Sequence, residues 1–125
     1  MPVLLFFSTA GCPYSLQVRR DHLGPRLARG DLARVLIREV EILSSRQIID
    51  LEGKPLSEGA FADRFGVKMV PHVELVDADF RSLGKPLVGI DGAGFYGDYL
   101  KEAIDSATKQ LSAPARDASG PAPTR

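Results

Sequence analysis

The chain has one cysteine, two histidines and no tryptophan among its 125 residues, and these shortages each remove a class of function. A single thiol cannot close an internal disulfide, so a disulfide scaffold is excluded and the cysteine count says nothing about an oxidising compartment. One cysteine and two histidines with no short ligand spacing cannot build a closed zinc site within one chain, so no metal is expected. Charge of either sign is not in excess: sixteen basic residues balance sixteen acidic ones. That balance removes the electrostatic case for binding nucleic acid or an acidic membrane. Arg19-Arg20 and the arginines between positions 26 and 38 read as solvated faces of helix and loop. Long apolar runs are missing too. The longest, Val3 to Phe7, is the length of a strand and far short of the roughly 20 residues that span a bilayer, so membrane insertion is not expected. No internal repeat is present.

What remains suits one compact domain with a substantial core. The unbroken apolar run Val3 to Phe7 predicts a strand buried on both faces, as in a sheet covered by helices. A helix begins at Pro13 with Leu16, Val18 and Leu23 on its apolar side, and Gly24-Pro25 is expected to break or kink it before a short turn through Leu27 and Ala28. Val35-Leu36-Ile37, continued by Val40 and Ile42, predicts a second strand. Residues 43 to 57 read as an inserted loop or small hairpin turning at Asp50 to Lys54. Ser57 is placed to cap a short helix through Ala60, Phe61, Ala62 and Phe65, which Gly66 closes. Val73 and Leu75 alternate with His72 and Glu74 in a third strand, and Pro86 to Ile90 supply a fourth that pairs with it as a hairpin. Asp91 can cap a last helix, along which Tyr96, Leu100, Ala103, Ile104, Ala107 and Leu111 recur at helical spacing. These elements place the domain at 1–112. From 113 to 125, Ala, Pro, Ser and Gly dominate without a period, which predicts a disordered tail.

The chemistry points to Gly11-Cys12-Pro13-Tyr14-Ser15, which stands where the first strand should turn into the first helix. Proline is favoured at the first helical position, so Cys12 should be the N-cap or its neighbour. A thiol beside free backbone N–H groups and the positive end of a helix loses its proton more readily than one in water. The bland alternative is a small buried hydrophobe, as lone cysteines often are.

The order of a strand, Cys-Pro-Tyr-Ser at a helix start, a second strand, a short helix ending in Gly66-Val67, then Val70-Pro71, a hairpin ending near Gly89 and a last helix resembles the thioredoxin-like superfamily over most of residues 2 to 111. The loop before the Phe61 to Val67 helix and the Phe95-Tyr96 start of the last helix are similar to bacterial exported thioredoxin-like proteins. The resemblance implies an α/β, three-layer fold: a central four-stranded mixed sheet with helices on both faces, in the order β-α-β-α-β-β-α. It implies a cis Val70-Pro71 bond lying against Cys12, Cys12 and Ser15 as catalytic residues, and Pro13, Tyr14, Val70, Pro71 and His72 as the substrate-binding groove, with His72 exposed in it. There are departures. Gly11 stands where thioredoxins carry a tryptophan, and the strand Val3 to Phe7 lacks their buried acid. Ser15 replaces the resolving cysteine.

Thiol–disulfide exchange begins when a thiolate attacks a disulfide sulfur, and Cys12 suffices for that step. A serine hydroxyl cannot resolve the mixed disulfide, so release must come from outside, through glutathione, another thiol or a client cysteine. Ser15 can donate a hydrogen bond to the Cys12 thiolate from one turn away, or simply add polarity to the first turn. It is open whether this is a natural monothiol protein like the Cys-Pro-Tyr-Ser glutaredoxins, a relative that only binds, or a Cys-to-Ser version that traps clients. Expected partners are protein disulfides or thiols, or glutathione, and the chain is a monomer or a dimer linked through Cys12. No cofactor is expected beyond glutathione as reductant. As written the chain reads as cytoplasmic. Met1-Pro2 running straight into a core strand also fits a periplasmic protein whose signal peptide has been removed.

Two other chemistries are weaker. A Cys-His hydrolase needs a base near Cys12, but His22 is roughly 15 Å away along a helix, and only His72 can approach, with no recognisable orienting residue or oxyanion motif. An iron–sulfur cluster shared between chains needs glutathione-binding residues that are not matched, Gly92-Ala93-Gly94 being a faint echo. The helical spacing from position 12 to position 15 carries a direct test: Ser15→Cys should form a reversible disulfide with Cys12, read as a loss of about two mass units in the intact protein under oxidising conditions. A variant that stays reduced or forms only dimers would refute the placement.

Overall fold

The amino-terminal run is buried on both faces because it forms the interior of a sheet. In the computed structural model, which describes residues 1–90 and 94–112, the elements are β1 (Val3–Ser8), α1 (Pro13–Val18), a π-helical stretch (Arg19–Leu23), α2 (Gly24–Ala28), β2 (Leu36–Glu41), β3 (Gln47–Ile49), β4 (Pro55–Ser57), α3 (Glu58–Arg64), β5 (His72–Val76), β6 (Leu87–Val88) and α4 (Tyr96–Ser112). The main sheet has the order β2-β1-β5-β6. β1 runs parallel to β2 and antiparallel to β5, and β6 is antiparallel to β5. This is the expected mixed four-stranded α/β sheet. Residues between β2 and α3 form a separate antiparallel hairpin, β3 with β4.

Side chains alternate across β1, and each set meets a different layer. Leu4 and Phe6 pack with Val18, Leu23, Leu100, Ile104 and Ala107, so α1, its π-helical continuation and α4 cover one face. Val3, Leu5 and Phe7 pack with Phe61, Ala62 and Val76, so α3 covers the other. On the α3 side the rings of Phe7, Phe61, Phe65 and Phe80 adjoin one another, with Phe61 and Phe65 centroids 5.1 Å apart. Offset and edge-on contacts of this kind add about 0.5–1.5 kcal/mol per pair beyond area burial. Phe80 adopts φ 63°, unusual for a bulky residue. Its loop is pinned by Asp77 Oδ1, which accepts from the N–H groups of Asp79 and Arg81.

Ser57 caps α3, its hydroxyl accepting from Ala60 N–H at 3.0 Å, and Gly66 follows the helix at φ 67°. The buried carboxylate of Glu58, at the first turn of α3, accepts from Glu41 N–H and from Arg46 at 3.2 Å. It thereby ties the carboxyl end of β2 to the hairpin and to α3.

Several expectations need correction. Gly24-Pro25 does not end the first helix. The chain widens into the π-helical stretch, Gly24 N–H donates to Arg19 C=O, and Pro25 enters as an early residue of α2, where its missing N–H does little harm. Leu16 is 51 % exposed and does not join the core; Ser15 and Val18 are the residues of α1 that turn inward. Leu111 is also exposed, the helix having passed the edge of the sheet. β5 is buried along its whole length rather than on alternate residues, because α3 and α4 cover opposite faces of it. β6 is only two residues long. Asp91, Gly92, Ala93 and the 113–125 tail lie outside the described residues.

Leu100 is fully buried where α4 crosses the sheet. Leu100→Ala should lower the unfolding free energy by about 2–5 kcal/mol, read as an earlier urea midpoint with an unchanged slope.

Candidate active site

β1 ends at Ser8, and the site is assembled by what its register places there. Ser8 is opposite Glu41 on the β2 side, and Phe7 is opposite His72 on the β5 side. The turn after β1 is closed by Cys12 N–H donating to Thr9 C=O at 3.3 Å, with Gly11 at φ 80°. That left-handed position suits glycine, which has no Cβ to clash. Cys12 is the N-cap of α1, extended at φ −77° and ψ 116°, and its carbonyl accepts the first helical hydrogen bond from Leu16 N–H at 3.0 Å. Pro13 follows at the start of the helix and is exposed. Tyr14 is 59 % exposed beside it.

Cys12 is free and half-buried, so its sulfur remains reachable. Its thiol is held below the ordinary value, first by the Ser15 hydroxyl and then by the Ser15 backbone N–H, against the opposing effect of burial. Smaller contributions come from the Tyr14 backbone N–H and the Thr9 side chain. Ser15 is only 1 % exposed. Its Oγ has no hydrogen-bond partner in the structure, and a hydroxyl bonds more strongly to a thiolate than to a thiol. The sign of the linkage follows. With the folded value below the unfolded one, ionisation of Cys12 favours the fold above the unfolded thiol range, and this contribution is lost as pH falls through the lowered folded value.

On the other side of β1, the Val70-Pro71 peptide bond is cis. Pro71 is buried and its carbonyl accepts from Gly89 N–H at 2.8 Å. Since His72 pairs with Phe7, Pro71 stands at the edge of the sheet where the chain leaves β1 for Cys12. Val70 is half-buried, and among the described residues neither its N–H nor its C=O has a backbone partner. Met69, next to it, is 61 % exposed.

His72 is not an exposed groove residue. It is 5 % exposed, its Nε2 lies 2.9 Å from Glu74 Oε1, and its ring packs edge-on against Phe7 at 5.2 Å. Strand alternation turns it toward α3, whereas α1 lies on the opposite face, so it cannot serve Cys12 as a base. His22 packs instead against Tyr96, ring centroids 4.8 Å apart. Neither histidine supports a Cys-His hydrolase.

Three residues at the site were not foreseen. A hollow of about 460 Å³ beside Cys12 is lined by Arg19, Glu39 and Glu41 as well as by the turn, Pro13 and Leu16, and none of Val70, Pro71 or His72 borders it. Glu39 Oε2 accepts from Ser8 Oγ at 2.7 Å and is paired with the Arg19 guanidinium. The available signal was the entry of charge at the end of the second strand. Parallel pairing with β1 puts Glu39 beside Phe6 and Glu41 beside Ser8, on the face that α1 covers. Among the described residues no group of three His, Cys, Asp or Glu side chains is placed to hold a metal ion, and no helix is long and apolar enough to cross a membrane.

No protein-family model matches the sequence, and no curated protein does. Solved structures do match. A thioredoxin-fold protein from Helicobacter pylori aligns with a TM-score of 0.59 at 20 % identity, covering 88 % of this chain and 79 % of that one. The periplasmic thioredoxin SoxS from Paracoccus pantotrophus, in its reduced form, aligns at 0.57 and 18 %, covering 86 % and 99 %. A thioredoxin from Thermus thermophilus aligns at 0.55 and 21 %, covering 94 % and 81 %. The chain has the thioredoxin fold.

Removing the Ser15 hydroxyl isolates its effect on sulfur. Ser15→Ala should shift the pH midpoint of Cys12 alkylation upward. Because it also deletes a buried hydroxyl that lacks a full partner, it should cost little stability at pH values where the thiol is protonated. An unmoved midpoint would show that the hydroxyl does not act on the thiolate.

Proposed function

We propose that this protein is a thiol–disulfide oxidoreductase that works through one nucleophilic cysteine. The observation that carries the reading is a reachable sulfur at a helix start, held toward its thiolate form by a buried serine that has no other hydrogen-bond partner. Thiolate character and access are the two requirements for attack on a disulfide.

In the proposed cycle the Cys12 thiolate bonds to one sulfur of the client or glutathione disulfide. The other sulfur leaves with the electron pair of the broken bond. Ser15 and the backbone N–H groups of the first turn release their hold as the negative charge leaves Cys12. Pro13 and Tyr14 border the approach, and the backbone of Val70, which has no backbone partner among the described residues, offers an incoming extended chain one strand-like contact. With a hydroxyl at position 15, a second thiolate from glutathione, another small thiol or the client itself attacks the client sulfur bonded to Cys12, a disulfide forms outside this protein, and Cys12 leaves with the electron pair as the free thiolate. Periplasmic thioredoxin-fold proteins among the solved structures make export compatible with this reading.

A second reading is a module that holds extended peptides in the same groove without turnover, and the absence of any resolving thiol favours it. Alkylation separates the two. Cys12 should react with iodoacetamide at pH 6 faster than an unperturbed thiol, and should form a mixed disulfide with oxidised glutathione that Cys12→Ser abolishes. A rate no greater than that of an unperturbed thiol would leave only the binding module.

A further inference from the structure

Resting on the reading of Cys12 as the attacking group, we propose that the hollow between α1 and the carboxyl end of β2 is a subsite for a basic side chain of the client, close to the disulfide that Cys12 attacks. The hollow begins at the sulfur itself, and its far wall is β2, whose Glu39 and Glu41 point to the α1 face. The two carboxylates differ. Glu39 is neutralised by Arg19 and held by Ser8 Oγ. Glu41 has no ion pair among the described residues, while its backbone N–H is tied to Glu58, whose charge is in turn met by Arg46. The wall therefore carries one fixed, unbalanced negative charge. Above it, Pro13 and Leu16 are exposed and apolar. An aliphatic stem lying on Leu16 with its cationic head toward Glu41 matches both, as lysine and arginine side chains commonly do at mixed surfaces.

The surroundings support a cation over an anion. Arg19, the cation lining this hollow, is occupied by Glu39 and lies over the Phe6 ring at 5.6 Å, which fixes it away from an incoming group. An anionic client would meet both Glu41 and the Cys12 thiolate. Once the thiolate has bonded to client sulfur its charge is gone, whereas Glu41 persists, so the subsite holds the mixed disulfide as well as the approaching client. The chemical step is unchanged: a bond forms between Cys12 sulfur and client sulfur, the client S–S bond breaks, and the departing sulfur keeps the electron pair and takes a proton from water.

Three small disulfides of different charge test this. Loss of the free Cys12 thiol is followed at low ionic strength with cystamine (a dication), bis(2-hydroxyethyl) disulfide (neutral) and 3,3′-dithiodipropionate (a dianion). Comparing variants cancels the intrinsic reactivity of each probe. Glu41→Gln should reduce the cystamine-to-dithiodipropionate rate ratio by about threefold or more, the size expected for one charge a few ångströms away in a watery site. Glu41→Lys should reduce it further, and about 0.5 M NaCl should erase most of the difference between variants. Glu39→Gln, which releases Arg19 from its partner, should move the ratio in the same direction. Ratios within twofold of the parent in both Glu41 variants, with all three probes still fast, would overturn the subsite alone. Slow reaction of the parent with every probe, at the rate of an ordinary thiol, would overturn the nucleophile and the subsite together.

Discussion

The backbone ladder of β1 is the constraint on which the site depends. Because β1 lies between a parallel neighbour and an antiparallel one, its last residues are aligned with the end of β2 and the beginning of β5. Three separate stretches of chain thus converge at one edge: the turn carrying Cys12, the end of β2 carrying Glu41, and the Val70-Pro71 segment. The ladder is held by burial on both faces, which leaves a one-residue slip no tolerable alternative. Every apolar side chain of β1 would exchange layers, and Leu4 and Phe7, each fully buried, would lose the partners shaped to receive them.

On that edge the thiol is tuned by very little. Its perturbation comes from the hydroxyls of Ser15 and Thr9 and from two backbone N–H groups, and no charged side chain contributes to it. Dipoles of this kind suffice because the hydroxyl sits in the first turn of α1 with nothing else to bond. β1 itself carries no acidic residue, and the chain has no second thiol. The charges near Cys12 come from β2 and from the π-helical stretch after α1, and they line the hollow beside it.

Much of this was legible in the residues. Val3 to Phe7 reads as a two-face strand, Ser57 and Gly66 mark the ends of α3, and Cys12-Pro13 marks the start of α1, because each signal is local: unbroken apolarity, a cap hydroxyl, a fixed proline φ. The misreadings have a shared cause. Leu16 looked like core but is exposed, because the packing direction of a helix is set by the sheet beneath it and not by its own composition. His72 looked exposed because histidine beside glutamate in an alternating strand suggests a solvated face. It is buried instead, edge-on against the Phe7 ring, and His72 and Glu74 bond to each other. Gly24-Pro25 looked like a break or a kink, and there the chain passes through the π-helical stretch and resumes as α2.

By itself the amino-acid sequence determined the element types, the α/β class and the place of the one thiol at a helix start, since periodicity, capping and the supply of thiols are properties of neighbouring residues. Tertiary structure alone decided that His72 is withdrawn to the other side of the sheet and that Glu39 and Glu41 flank Cys12. Those outcomes depend on strand register and layer packing between residues more than twenty positions apart, and no local pattern encodes a partner at that distance.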